Sequence, residues 1–132
     1  MNKAIEEMPD HFKEDQKQLI TQGISSWNDI KNLSNAKINA LLNKTTCSKR
    51  NLIFLRGMAE LIVQLGISHQ YASLLIHSGI YSIEVLANLT PEELIKRLGR
   101  LNRQNKIWTN SSIDLSKANY LIKEATKKLN TP

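Results

Sequence analysis

Leu19-Ile20-Thr21-Gln22-Gly23-Ile24-Ser25-Ser26 recurs 56 positions later as Leu75-Ile76-His77-Ser78-Gly79-Ile80-Tyr81-Ser82, with leucine, isoleucine, glycine, isoleucine and serine each repeated in place. The match runs outward from there. Ile30 falls on Leu86, Asn32-Leu33-Ser34 on Asn88-Leu89-Thr90, Ile38 on Leu94 and Leu42 on Leu98. An offset of 68 then brings Ser48-Lys49-x-Asn51 onto Ser116-Lys117-x-Asn119, which places about twelve extra residues of the second copy within 99–114. Self-similarity over one supersecondary unit reads as an internal repeat.

The punctuation inside each copy is helical. Gly23 and Gly79 follow apolar helical segments, where glycine accepts the left-handed conformation that closes a helix. Ser26 and Ser82 then suit the N-cap of a short following helix, as do Ser34, Ser48, Ser68 and Ser116 for others. Thr90-Pro91-Glu92-Glu93 is a fuller start signal, combining a cap, proline at the first helical position and a capping-box glutamate. Helices are expected near 10–22, 27–32, 35–42, 49–65, 69–78, 83–88, 91–98 and 117–129. Gly99 aligns with Asn43, and both suit a helix-ending position, so a break is expected at 99.

Segment 49–65 is apolar over most of its circumference. Leu52, Leu55, Ala59 and Ile62 make one stripe, and Phe54, Met58, Leu61 and Leu65 make another beside it. Arg56, Glu60 and Gln64, spaced four apart, mark a solvent-facing line on which Arg56 and Glu60 are placed to pair. Such a helix must be covered from both sides. The expectation is one compact all-α domain over 1–132 of about eight helices, with a first repeat at 8–47, a shared central helix at 48–66, and a second repeat at 67–130 carrying an insertion near 99–114. Trp27 occupies the position of Ile83, which assigns it to the core.

Composition agrees with this and narrows the function. Aromatics are 5% against 41% hydrophobic residues in total, so leucine, isoleucine and alanine build the interior. The net charge of +6 lies wholly in residues 48–132, because 1–47 balance to zero. Lys96, Arg97, Arg100, Arg103 and Lys106 fall with no acid between Glu93 and Asp114. An asymmetry of this kind points to a polyanion, or to plain solubility charge. Trp108, just beyond, either anchors the loop to the core or stacks on a base. Cys47 is alone, the N-terminal stretch lacks the apolar run of a signal peptide, and runs such as Leu61-Ile62-Val63 are far too short to cross a bilayer, so a cytoplasmic protein without a membrane role is expected. His11, His69 and His77 do not share metal-ligand spacing with Cys47, Glu92-Glu93 is explained by capping, and no phosphate-binding loop, nucleophile elbow or dinucleotide fingerprint occurs. These readings expect no enzyme activity, no cofactor, no metal and no small-molecule substrate.

At the end of the central segment comes Leu65-Gly66-Ile67-Ser68-His69-Gln70-Tyr71-Ala72. It resembles the helix-hairpin-helix pattern, Gly-apolar-Gly followed by a small residue; Gly66, Ile67 and Ala72 match, and Ser68 stands at the second glycine. The stretch from Gly79 to Leu98 looks like the follow-on helices seen in recombinase N-terminal domains and in the C-terminal domain of the RNA polymerase alpha subunit. Over roughly 8–129 the chain resembles a bacterial, largely cyanobacterial, uncharacterised family of tandem helix-hairpin-helix (SAM-like) proteins. The resemblance implies two such units packed on the shared helix. It also implies that backbone N–H groups at Gly66, Ile67, Ser68 and His69 meet a phosphate at a helix N-terminus, with Lys96, Arg97, Arg100, Arg103 and Lys106 supplying further charge. Ser68 still caps the second helix but narrows the approach. The first copy's counterpart, Pro9-Asp10-His11-Phe12, has no glycine and carries an acid, so no binding is expected there. Two partners follow: nucleic acid, DNA before RNA, bound without sequence preference, or a protein held by an adaptor whose hairpins are structural.

Overall fold

The computed structural model describes residues 8, 12–105 and 115–130, and for 100–105 the backbone alone. Eight helices lie among them and no strand: α1 (Lys13–Thr21), α2 (Trp27–Lys31), α3 (Asn35–Lys44), α4 (Lys49–Leu65), α5 (His69–His77), α6 (Ile83–Ala87), α7 (Pro91–Asn105) and α8 (Leu115–Leu129). The protein is all-α, as the glycine and serine punctuation implied. Ser26, Ser34, Ser48, Ser68 and Ser82 each accept a backbone N–H three residues on, satisfying one of the donors that a helix start leaves unpaired.

The two octapeptides close their helices with the same bonds. Gly23 and Gly79 have φ of 84° and 87°. Ile24 N–H reaches Leu19 O at 2.9 Å and Ile80 N–H reaches Leu75 O at 2.9 Å, while the glycine amides bond Ile20 O and Ile76 O at 3.0 Å. A six-to-one bond over a left-handed glycine folds the following isoleucine back onto the helix it ends. Ile24 and Ile80 are accordingly buried.

Helix α4 is the shared element. α2 and α3 pack on it from one half of the chain, and α5, α6 and α8 from the other. Leu52, Leu55, Met58, Ala59, Leu61 and Ile62 are all buried. Helix α1 is joined to its start by polar bonds: Asn51 Nδ2 donates to the buried Asp15 at 2.9 Å, and Thr46 N–H donates to Gln18 Oε1 at 2.6 Å. Gly57 has a special task. A Cβ there would stand 2.7 Å from the Tyr81 carbonyl oxygen and 3.1 Å from Ile76 Cδ1, so its bareness admits the backbone of the second half. Phe54, one turn before, stacks on Tyr81 at 5.8 Å and 7°.

Three expectations are corrected. First, Arg56, Glu60 and Gln64 are half-buried rather than solvent-facing, and Arg56 and Glu60 do not pair. Arg56 Nη1 donates to Leu33 O at 3.1 Å and Asn35 Oδ1 at 2.9 Å, whereas Glu60 Oε1 accepts from Ile83 N–H at 3.4 Å. Each charged group meets unpaired backbone at a neighbouring helix end, one in each half, and that outcompetes a weak pair across one turn. Second, α7 does not break at Gly99 but runs through it to Asn105. A glycine inside a helix costs only about 1 kcal/mol, too little by itself to end one. Third, α8 starts at 115, which is 66 residues after the start of α4 at 49, and not 68. Its buried Ala118, Leu121 and Ala125 repeat Leu52, Leu55 and Ala59 at the same offset. A slip of two residues turns a helix by about 200°, which would set the buried Leu121 on the exposed Ile53. Ser116 therefore lies inside the first turn and is not the cap.

Alanine in place of Gly57 is expected to destabilise the fold by about 1–3 kcal/mol, reversing the gain of about 1 kcal/mol that alanine brings to an unconstrained helix interior. Urea unfolding compares the two proteins, and a more stable variant refutes the close approach at Tyr81.

Candidate nucleic-acid interface

The turn between α4 and α5 is built by one backbone torsion and one cap. Gly66 is left-handed (φ 68°, ψ 27°), and its N–H bonds Ile62 O at 2.9 Å. Nothing lies within 4 Å of where its Cβ would be, so glycine is needed here for the torsion while the space above it stays open. Ile67 turns into the core, and Ser68 is exposed. The Ser68 hydroxyl accepts from Tyr71 N–H at 3.2 Å, which engages it as a cap. His69 is half-buried at the first helical position, and Ala72 is fully buried where α5 meets α4. The Gln70 amide of this first turn has no carbonyl one turn back, which leaves positive partial charge at an exposed corner.

Helix α7 begins with a reciprocal capping box: Thr90 N–H donates to Glu93 Oε1 at 2.9 Å, and Glu93 N–H donates to Thr90 Oγ1 at 3.2 Å. The Thr90 amide, with its hydroxyl next in weight, holds the Glu93 carboxyl below the ordinary glutamate range. From this start, positions 96, 100 and 103 recur at one-turn and two-turn spacing along one face of an unbroken helix. Lys96 and Arg97 are exposed. The guanidinium of Arg97 lies 3.6 Å from where a Gly79 Cβ would stand, beside the closing turn of α5, where a cation also complements the helix dipole. For Arg100 and Arg103 the backbone places the residues on α7, and Lys106 and Trp108 lie outside the described residues, as do Pro9, Asp10 and His11.

Gly66–His69 and Arg97 thus stand at opposite ends of α5, about 13 Å apart at 1.5 Å per residue. The fold holds the two regions apart and does not gather them into one pocket. It adds a third set that the sequence pattern alone did not single out. α8 packs on α7 and carries Lys117, Lys123, Lys127 and Lys128 against Glu124 alone. A lysine count over 115–130 would have found them, but their neighbourhood with α7 is a tertiary fact. Lys117 Nζ lies 5.8 Å from the centre of the Tyr71 ring, and Lys127 pairs with Glu124 at 3.5 Å.

Among the described residues no three of His, Cys, Asp and Glu converge in a way that would hold a metal ion. Burial pushes the Cys47 thiol up from its ordinary range, with Asp15 adding to the shift and a hydrogen bond with Thr45 opposing it; the sulfur is a buried neutral thiol and not an activated nucleophile. His77 Nδ1 lies 2.7 Å from Ser73 O, within its own helix. No helix of the described residues is long and apolar enough to cross a membrane.

The family described as "Domain of unknown function (DUF4332)" matches residues 9–128, and the chain belongs to that family. No curated protein and no solved structure matches the chain.

Thr90→Ala is expected to cost about 1 kcal/mol of stability at neutral pH. Because Glu93 titrates lower when folded, its contribution is complete above the unfolded-state pKa and disappears as the pH falls through the folded one. Thermal melts of wild type and Glu93→Gln between neutral and acid pH should therefore converge in acid, and a gap that widens there contradicts the capping role.

Proposed function

We propose that this member of the family is a non-enzymatic, tandem helix-hairpin-helix module of the bacterial cytoplasm that binds a nucleic-acid backbone, DNA before RNA, without reading sequence. The observation that carries the reading is the adjacency of α7 and α8. Together they hold eight cations against three glutamates, so two packed helices carry nearly all of the chain's net charge of +6. The matching bonds at Gly23 and Gly79 and the left-handed Gly66 with its Ser68 cap support the two-unit reading. The corner between α4 and α5, at Gly66, Ile67, Ser68 and His69, offers a phosphate the open space over Gly66 and the positive partial charge of the α5 start, while the Gly66 N–H itself stays bonded to Ile62 O. Lys96, Arg97, Arg100 and Arg103 supply point charges along α7, and Lys106 follows them in the sequence.

One observation favours the adaptor as the second reading: the Ser68 side chain occupies the second glycine position and is spent on the Tyr71 amide. In that reading the turn is structural and the charge serves a protein partner.

Fluorescence anisotropy with duplex DNA, single-stranded DNA and RNA at 50 and 200 mM salt separates the two. Five phosphate contacts give a log–log slope of about −4.5, a loss of roughly 500-fold across that range. Charge reversal at Arg97, Arg100 and Arg103 together should abolish binding at either salt. Unaltered affinity after reversal defeats the backbone reading, and no binding to any of the three ligands leaves the adaptor.

A further inference from the structure

The offset of 66 pairs Tyr120 on α8 with Phe54 on α4. Phe54 shows what this helix position accepts. One planar ring lies over it almost parallel, that of Tyr81 at 5.8 Å and 7°, and the Arg50 guanidinium sits 5.2 Å from its centre. On α8 the same position is left uncovered by the described residues. Tyr120 is 54% exposed, and no ring contact engages it among the described residues. It shares an open face of α8 with Leu115, Ser116, Asn119 and Lys123.

The packing of a further hairpin unit in the α4 manner is blocked. Lys123 takes the place of Gly57, the residue whose missing side chain lets the Tyr81 backbone in. A thin planar group, in contrast, fits over an exposed ring beside a lysine. The surroundings set its charge, since α8 carries four lysines against one glutamate and packs on the basic α7. A nucleotide is a ligand of this kind, planar at the base and anionic at the phosphate.

We propose that Tyr120, with Leu115, Asn119 and Lys123, is a stacking platform for an unpaired base, so that the chain prefers single-stranded nucleic acid to duplex. The proposal rests on the nucleic-acid reading above and deepens it. A base within a duplex has both faces occupied by its neighbours, so a duplex meets only the cations. A single strand adds a stack on Tyr120 while its phosphates lie along Lys123 and the basic face of α7. Every base has a flat face, so the platform keeps the binding independent of sequence.

The decisive ligands are an oligothymidine and an abasic strand of the same length and charge, each titrated by anisotropy at 50 mM salt against wild type, Tyr120→Ala and Tyr120→Phe. Wild type should bind the oligothymidine about 5- to 150-fold more tightly than the abasic strand. Tyr120→Ala should remove that preference and leave the abasic affinity unchanged, and Tyr120→Phe should keep it. Thymidine monophosphate, with one phosphate, should not compete at equal nucleotide concentration. Tyr120 is on the surface, and a thermal melt verifies that its replacement leaves the fold intact. Equal binding of both strands with a steep salt dependence overturns the platform and keeps the backbone reading. A preference for the base-bearing strand with almost no salt dependence keeps the platform and overturns the backbone reading. Binding of neither strand overturns both. A change of oligomeric state in Tyr120→Ala, with nucleic-acid affinity unmoved, makes the face a protein contact and overturns the platform.

Discussion

A seventeen-residue helix that is apolar nearly all round cannot rest against one partner. α4 exposes too much hydrocarbon for a single layer to cover, and removing such surface from water is the main favourable term in folding. The rest of the architecture answers that demand. α2 and α3 cover one side, and α5, α6 and α8 cover the other. Where the second half comes closest, at the Tyr81 carbonyl, the helix gives up a side chain altogether at Gly57. The two charged residues beside that contact, Arg56 and Glu60, serve opposite directions along the chain, toward the end of α2 and the start of α6. They convert a polar line on the helix into two hydrogen-bonded ties between halves.

Covering α4 decides where charge goes. α8 repeats the inward pattern of α4 through Ala118, Leu121 and Ala125, with smaller residues and a narrower buried stripe. The rest of its circumference is therefore free for lysine, tyrosine and asparagine. α7 buries Leu94 and Leu98 along one line while packing on α8 and α5, and Lys96 and Arg97 take exposed positions beside that line. The positive surface is a by-product of two amphipathic helices packing side by side at the edge of the core. A surface of this kind raises the local concentration of polyanions.

What was legible in the sequence came from interactions within one turn. Gly79 had to be left-handed because a helix ended there, and Thr90 with Glu93 had to cap because both bonds close within three residues. Gly66 and Ser68 were readable for the same reason. The errors came where a local signal met a longer-range competitor. Gly99 looked like a stop, but α7 runs on to Asn105, since the roughly 1 kcal/mol that one interior glycine costs is too little to end a helix. Ser116-Lys117-x-Asn119 imitates Ser48-Lys49-x-Asn51 in letters, yet burial follows the helical face and places the true counterpart two residues earlier.

By itself, then, the order of residues determined the all-helical class, the places where most helices start and stop, and the lopsided charge, because each depends on neighbours within a few positions. Only the tertiary structure decided that Arg56 and Glu60 serve different halves, that Arg97 sits at the far end of α5 from Gly66, and that the lysines of α8 lie on a helix packed against α7. Those relations join residues from separate helices, and they exist only once burial of apolar surface has chosen which faces meet.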